Sequence, residues 1–276
     1  MGIDRIKLRR RNMLRPEELP YKTVFGMVYD SGDFPTVLDK ALVAADWDGF
    51  EERREESAAR GFLRGLGIAT YLEATGAPSR EMGRIRFEED GSITMVTGSL
   101  DYGQGHAAAF AQIVGSKLGI SLEHFRLIQG DSDELIAGQG TGGSKTLISG
   151  GTIMLHTAEK VIENGRLIAS HVLEAAPADI ALEQGRFTIA GTDRSISIME
   201  LAKHVRQGLP EDLPQSLDAE IVENPPPSAF PNGCHIAEIE VDPETGVIRV
   251  DRYTIVDDFG NLVNPVSYTH LTLPTK

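Results

Sequence analysis

Gly98-Ser-Leu-Asp-Tyr-Gly-Gln-Gly-His106 runs straight into the helix-like stretch Ala107–Leu118, and Gly138-Gln-Gly-Thr-Gly-Gly-Ser-Lys145 opens a second one, from about Thr146 to Glu163. Glycines let backbone N–H groups come close to a ligand, and a helix start adds unpaired donors and the positive end of the helix dipole. The two loops read as halves of one anion-binding site. Before the first loop, Arg84–Glu89 and Ser92–Thr97 flank Asp90-Gly91, a strong hairpin signal. After it, Phe110, Ile113, Val114 and Leu118 recur at helical spacing until Gly119 stops the helix, and Phe125–Gln129 reads as a strand. Hairpin, loop, helix, strand, loop, helix implies an α+β fold, a mixed sheet with packed helices.

Further out, Phe34–Asp46 opens like a helix, with Pro35 or Thr36 at its start and Val37, Leu38, Ala41, Leu42 and Ala45 on one face. Trp47–Arg60 continues as a highly charged helix whose carboxylates and arginines read as a solvated face. Gly65–Glu73 is an apolar strand, and Ser197–Gln207 a short helix. Three consecutive prolines make Glu223–Ala229 the clearest linker, and His235–Val241 with Val247–Asp257 form a hairpin around Asp242-Pro-Glu-Thr-Gly246. The chain thus segments into a helical lead-in (1–62), an α+β subdomain (63–222), the start of a second, β-rich subdomain (223–265) and a tail (266–276). The tail, Val266–Lys276, resembles translated sequencing-adaptor read-through from metagenomic assembly and is set aside. At the other end, Asp4–Asn12 reads as the amphipathic end of a helix, so the chain is expected to be an internal fragment.

With 276 residues and a formal charge of −14, the chain lacks the Lys/Arg surplus that non-specific nucleic-acid binding needs. The single cysteine, Cys234, excludes an intrachain disulfide and any all-cysteine metal site, and it reads as a buried strand thiol. No apolar run is long enough for a membrane helix, and the charged start does not resemble a signal peptide, so the expected location is cytoplasmic.

Gly138, Gly140 and Gly143 fit G-x-G-x-x-G, but seven residues, Asp131–Ala137, separate them from the preceding strand, where a dinucleotide fingerprint needs a tight turn. A P-loop fails on the reversed order Ser144-Lys145. A nucleotide-binding dehydrogenase or kinase-like domain remains one alternative, and a non-enzymatic scaffold with the loops as mere turns another. In that plain reading Asp101 or Ser99 caps the helix and Gln104 and His106 are exposed.

Taken together, Gly98–His106, Ala109-Phe-Ala-Gln-Ile113, Gly138–Lys145 with Gly150-Gly151, Gly233–Gly246, Val256–Gly260 and Asn264-Pro265 resemble the xanthine dehydrogenase/aldehyde oxidase family. Specifically they resemble its molybdopterin-binding large subunit, in the carbon monoxide dehydrogenase-like branch. The resemblance implies part of the second molybdopterin-binding domain and a molybdenum–molybdopterin cofactor, in bacteria often the cytosine dinucleotide form, with few or no direct metal bonds from the protein. It implies that Gly103, Gln104, Gly105 and His106 approach the molybdenum end, with the Gln104 amide as donor. Thr141, Gly142, Gly143, Ser144 and Lys145 would line the pterin and phosphate; relatives often carry arginine where this chain has Lys145, so a point charge replaces a bidentate fork. The implied reaction oxidises an aldehyde, N-heterocycle or carbon monoxide, a small-molecule substrate, with water-derived oxygen. Implied partners are the remainder of the large subunit and iron–sulfur and FAD subunits. The family's base and substrate loop fall outside this sequence, so no catalytic residue is assigned; Glu73, Asp101, Asp131, Asp133, Asp257 and Asp258 read as turn, cap and surface carboxylates.

Overall fold

The computed structural model describes residues 2–76 and 80–264, so the adaptor-like tail lies outside the described residues. Two compact units emerge among the described residues: residues 2–75 with Ala229–Asn261, and Gly76–Ser228 with residues 262–264.

The first unit starts with helix α1 (Arg5–Asn12). Asp4, expected inside the end of a helix, instead caps its start by accepting from the N–H groups of Ile6 and Lys7 at 3.0 and 2.8 Å. After a minimal pair, β1 (Tyr21–Lys22) and β2 (Val28–Tyr29), helix α2 runs over Phe34–Ala44, with Pro35 in its first turn and Asp33 accepting from Thr36 N–H. Val37, Leu38 and Ala41 are buried, the face that the apolar spacing marks. Helix α3 (Phe50–Ala59) follows, then β3 (Leu63–Leu72). The unit closes with β11 (Asn232–Val241) and β12 (Ile248–Asp258), giving an antiparallel sheet in the order β12-β11-β3. The linear segmentation places 63–72 with the middle of the chain; the hydrogen bonds pair it with β11 from Leu63↔Val241 to Leu72↔Asn232. Strand pairing at long range leaves no local mark on sequence, whereas a proline run does.

Strand alternation puts Cys234 and Ile236 in the core with α2, and Glu238 and Glu240 on the same side of the strand. That corrects the reading of α3 as purely solvated. Arg53 meets both carboxylate oxygens of Glu238 at 2.9 and 3.0 Å, and Ser57 Oγ donates to Glu240 at 2.6 Å.

The second unit is built on a four-stranded sheet, β10-β4-β5-β6, with β4 (Glu81–Phe87), β5 (Ile93–Thr97), β6 (Phe125–Ile128) and β10 (Ala219–Glu223). The Asp90-Gly91 hairpin joins β4 and β5 as expected, and β5 pairs parallel with β6, which makes the sheet mixed. Helix α4 (His106–Leu118) ends on Gly119 in the left-handed conformation, and α5 (Thr152–Val172) is preceded by a π-helical turn, Thr146–Gly151. Both helices contribute to one core with Ile85, Ile93, Met95, Phe110, Val114 and Met154. A small antiparallel sheet of β7 (Ile180–Glu183), β8 (Arg186–Ile189) and β9 (Ser195–Ser197) follows, with the short helix α6 (Ile198–Val205), which opens on a Ser197/Glu200 capping box. This sheet is packed on α5 through Phe187, whose ring leaves room only for a glycine at 165.

Candidate functional site

The two glycine loops touch. A β-carbon at Gly98 would collide with Ala137 and Gly138, and one at Gly138 would collide with Gly98, so the backbones pass at a distance only glycine permits. Gly140 N–H donates to Gly98 O at 3.0 Å and Leu100 N–H donates to Thr141 Oγ1 at 3.2 Å, stitching one loop to the other. A scaffold with independent turns would leave them apart. The residues between the end of β6 and the helical start at Thr146 form a long loop rather than a strand-to-helix turn, which removes the support for a nucleotide fingerprint.

The first loop uses its own donors internally. Asp101 Oδ1 accepts from the N–H groups of Gly103, Gln104 and Gly105 at 2.7, 2.7 and 3.3 Å, and Oδ2 accepts from His106 N–H at 2.8 Å. Burial works against the charge on Asp101, but the N–H groups of Gly103, His106 and Gln104 hold its carboxyl below the ordinary range. The cap therefore belongs to Asp101, and the helix start has little left to offer an outside anion. Gln104 is exposed; its side-chain oxygen accepts from Tyr102 N–H, and among the described residues its amide nitrogen makes no hydrogen bond. His106 is buried, contrary to the plain reading. Its Nδ1 lies 3.3 Å from the Gln129 amide, its ring stands 5.7 Å from that of Phe110, and burial lowers its pKa.

The second loop is open where the first is closed. Gly142, Gly143 and Ser144 are exposed, and among the described residues no acceptor meets the N–H groups of Gly142 and Gly143. Gly143 (φ +60°) and Ser144 (φ +54°) take left-handed conformations that turn successive amides. Thr141 Oγ1 lies 2.8 Å from Thr146 Oγ1, and Gly143 O accepts from Gly76 N–H at 2.9 Å, so the loop is pinned at both shoulders. A groove of about 910 Å³ runs from Gly76 and Arg80 past Ile136–Gln139 to Asn224–Ser228.

Lys145 is buried at 3% exposure, and its charge acts on Glu81, which is fully buried. Burial pushes the Glu81 carboxyl above its ordinary range, against the pull of Met82 N–H and Lys145. Glu81 Oε1 accepts from Met82 N–H at 3.1 Å, whereas Oε2, Ser99 Oγ and Ser149 Oγ are buried without a hydrogen-bond partner among the described residues. Ser99 Oγ lies near Glu81 and draws its carboxyl down without reaching hydrogen-bond geometry. Sequence reasoning passed over Glu81 because a carboxylate at the edge of an Arg/Glu-rich hairpin looks like surface. The one signal was its alternation with Ile85 and Phe87.

Two of the other carboxylates are engaged in structural contacts. Asp131 accepts from Asp133 N–H in a turn, and Asp257 accepts from Tyr71 OH at 2.9 Å. Among the described residues no group of three or more His, Cys, Asp or Glu side chains is arranged to hold a metal, and no helix is long and apolar enough to cross a membrane.

Residues 40–270 match the family model of the molybdopterin cofactor-binding domain. The chain is 32% identical to the carbon monoxide dehydrogenase large chain of Hydrogenophaga pseudoflava, over 96% of its own length and 35% of that protein's. It is 30% identical to the gamma subunit of the 6-hydroxypseudooxynicotine dehydrogenase complex of Paenarthrobacter nicotinovorans, covering 97% of the chain and 34% of that subunit. The fold superimposes on a crystal structure of Cu,Mo-CO dehydrogenase in its carbon monoxide-reduced state with a TM-score of 0.85 at 28% identity, covering 97% of this chain and 36% of that one. The chain thus spans about a third of the length of the relatives it matches.

Proposed function

The chain belongs to the molybdopterin cofactor-binding domain family, in the carbon monoxide dehydrogenase-like branch of the xanthine dehydrogenase family, and from that premise we propose that it builds one wall of the pterin site in the large subunit of a molybdenum hydroxylase. The observation that carries the reading is the contrast between the stitched loops: Asp101 occupies the donors of the first, while Gly142 and Gly143 keep theirs open. The residues fit an anionic, hydrogen-bonding ligand, since open N–H groups, an exposed amide and buried unmet oxygens at Ser99 and Ser149 all lie in or beside these loops.

In this reading Gly142 and Gly143 N–H groups, with Thr141 and Ser144 beside them, bind the phosphate and pterin. Gly103 and Gly105 give the first loop its turn, and Gln104 donates from its amide nitrogen toward the metal end. His106 steadies the loop from beneath through Gln129 and Phe110. Lys145 supplies positive charge behind the second loop. When bound, the molybdenum–pterin group supplies the redox chemistry for oxidising an aldehyde, an N-heterocycle or carbon monoxide. Electrons would leave through iron–sulfur and FAD subunits, and the enzyme would be cytoplasmic. The 910 Å³ groove, with Arg80 at its side, has room for the extension of a cytosine dinucleotide form.

The test is chemical analysis of the assembled enzyme. Molybdenum together with cytidine monophosphate released on acid hydrolysis is expected. Molybdenum without the nucleotide removes the dinucleotide form, and an enzyme without molybdenum or pterin overturns the reading.

A further inference from the structure

The strands and loops beneath the proposed site leave one charged group that no step above uses. Glu81 opens β4, is 0% exposed, and presents one oxygen to its own neighbour's N–H while the other meets no partner among the described residues. A carboxylate buried with a bare oxygen is costly, and an amide or an apolar side chain of similar size would suit a purely architectural role better. The same carboxylate lies where the two loops cross. A β-carbon on Gly98 would stand 2.5 Å from Glu81 Oε1 and closer still to Gly138 Cα, so the carboxylate packs where the two loops cross; the charge of buried Lys145, at the end of the second loop, also acts on it. Behind them, Ser99 and Gly150 are in contact, since a β-carbon on Gly150 would lie 3.0 Å from Ser99 Oγ. Glu81 therefore ties the start of β4 to the point where Gly98 crosses Gly138.

We infer that Glu81 is a positioning residue: its buried carboxylate, set against Gly98 where it crosses Gly138, holds the two glycine loops together so that the Gly142 and Gly143 N–H groups stay aimed at the ligand. The inference rests on the cofactor reading above for what the loops bind, but not for how they are held. Lys145 then acts on the loop from behind, as a counter-charge to Glu81, and not as a direct ligand of the phosphate.

Two measurements separate these points. The first is amide hydrogen exchange on the full chain without cofactor, read at Gly140 and Leu100, the donors that stitch the loops. Glu81→Gln and Lys145→Met should each speed exchange there about tenfold, equivalent to roughly 1.4 kcal/mol of easier local opening. The double variant should be no faster than either single one, and Lys145→Arg should stay near wild type. Amides of the β7–β9 sheet should not change. Unchanged exchange in Glu81→Gln, or a double variant equal to the product of the singles, overturns the inference; should Glu81→Gln fail to fold by circular dichroism, Lys145→Met carries the same comparison. The second is molybdenum content of the assembled enzyme, which should fall at least severalfold in both single variants. Loops loosened with full molybdenum retained would overturn the role in cofactor binding. A Lys145→Met enzyme that loses molybdenum with exchange unchanged would overturn the positioning role in favour of direct contact. A wild-type enzyme without molybdenum would sink the cofactor reading and leave the exchange result standing.

Discussion

Glu238 and Glu240 in the first unit and Glu81 in the second are all at most 3% exposed, yet they are treated in opposite ways. Glu238 is forked by Arg53 and also met by Arg64; Glu240 receives Ser57, Arg60, Arg64 and Arg249. Glu81 has one backbone N–H, the charge of buried Lys145 and a bare oxygen. The pKa directions follow. Burial opposes the charge on Glu238, but Arg53 and Arg64 bring its carboxyl below the ordinary range, and Ser57 with Arg60 and Arg64 takes Glu240 to about 2. Burial wins at Glu81 and raises it. A buried carboxylate whose every lone pair is met locks two elements together. One left incompletely met, as Glu81 is where the glycine loops cross, holds its neighbours at a cost in stability.

The sharpest way to break this comparison is to unpair the lock. Arg64→Ala removes the cation shared by both carboxylates and should destabilise the first unit by about 2–3 kcal/mol, because charged hydrogen bonds to two buried carboxylates are lost although Arg53, Arg60 and Arg249 remain. Trp47, the chain's one tryptophan, packs with that unit's core and beneath the Arg5 guanidinium, so its fluorescence in urea reads the loss directly. A midpoint shift no larger than that of an exposed pair such as Arg54–Glu51 would show that the network is not a lock.

Next in size is the glycine contact of the second unit. Gly98→Ala forces a methyl into Ala137, Gly138 and Glu81 Oε1 together and should cost about 1–3 kcal/mol, with the Gly140-to-Gly98 hydrogen bond the first to go. Stability read by circular dichroism should fall while the Trp47 signal of the first unit stays in place. An alanine accepted without loss would mean that the loops can separate freely.

Acid sharpens the comparison by its sign. Glu240 titrates lower in the folded than in the unfolded chain, so its stabilisation is present above about pH 4.5 and is lost as pH falls toward 2. Glu81 titrates higher when folded, so its contribution favours folding below the ordinary carboxylate range and declines as pH rises through it. Trp47 emission should therefore change on acidification before the helical signal of α4 and α5 does, and Arg64→Ala should move that change to higher pH. Coincident transitions would show that the two kinds of burial do not differ in their effect.

Legibility in the sequence divides along the same line. The hairpin at Asp90-Gly91, the α2 face, the Gly119 stop and both glycine loops were readable because each is a local pattern: a period, a turn dipeptide, a cap. What was hidden depends on partners far along the chain. Arg53 and Glu238 lie 185 residues apart, and nothing within Glu51–Glu56 tells a lock from a solvated face. The pairing of β3 with β11, the small β7–β9 sheet and the burial of Glu81 and Lys145 are likewise decided by tertiary neighbours. The site was half legible. Glycine spacing marks where backbone can approach a ligand, but only the folded loop shows that Asp101 has already taken the donors of the first.

The smallest effect on stability belongs to Gln104, and it separates function from fold most cleanly. Its side chain is exposed and its only hydrogen bond among the described residues is from Tyr102 N–H, so Gln104→Ala should shift unfolding by no more than about 0.5 kcal/mol. Asp101 still caps the helix through His106 N–H, so the loop keeps its shape. In the assembled enzyme the same change should lower molybdenum content or turnover, since it removes the one exposed side-chain amide that the loop offers. Gln104→Glu tests the same point by charge: it keeps the acceptor for Tyr102 N–H but replaces the donor with a second anion beside the proposed one. It should therefore impair loading at least as much as alanine does. Equal cofactor content in all three proteins would take Gln104 out of the site and leave the second loop as the ligand-binding half.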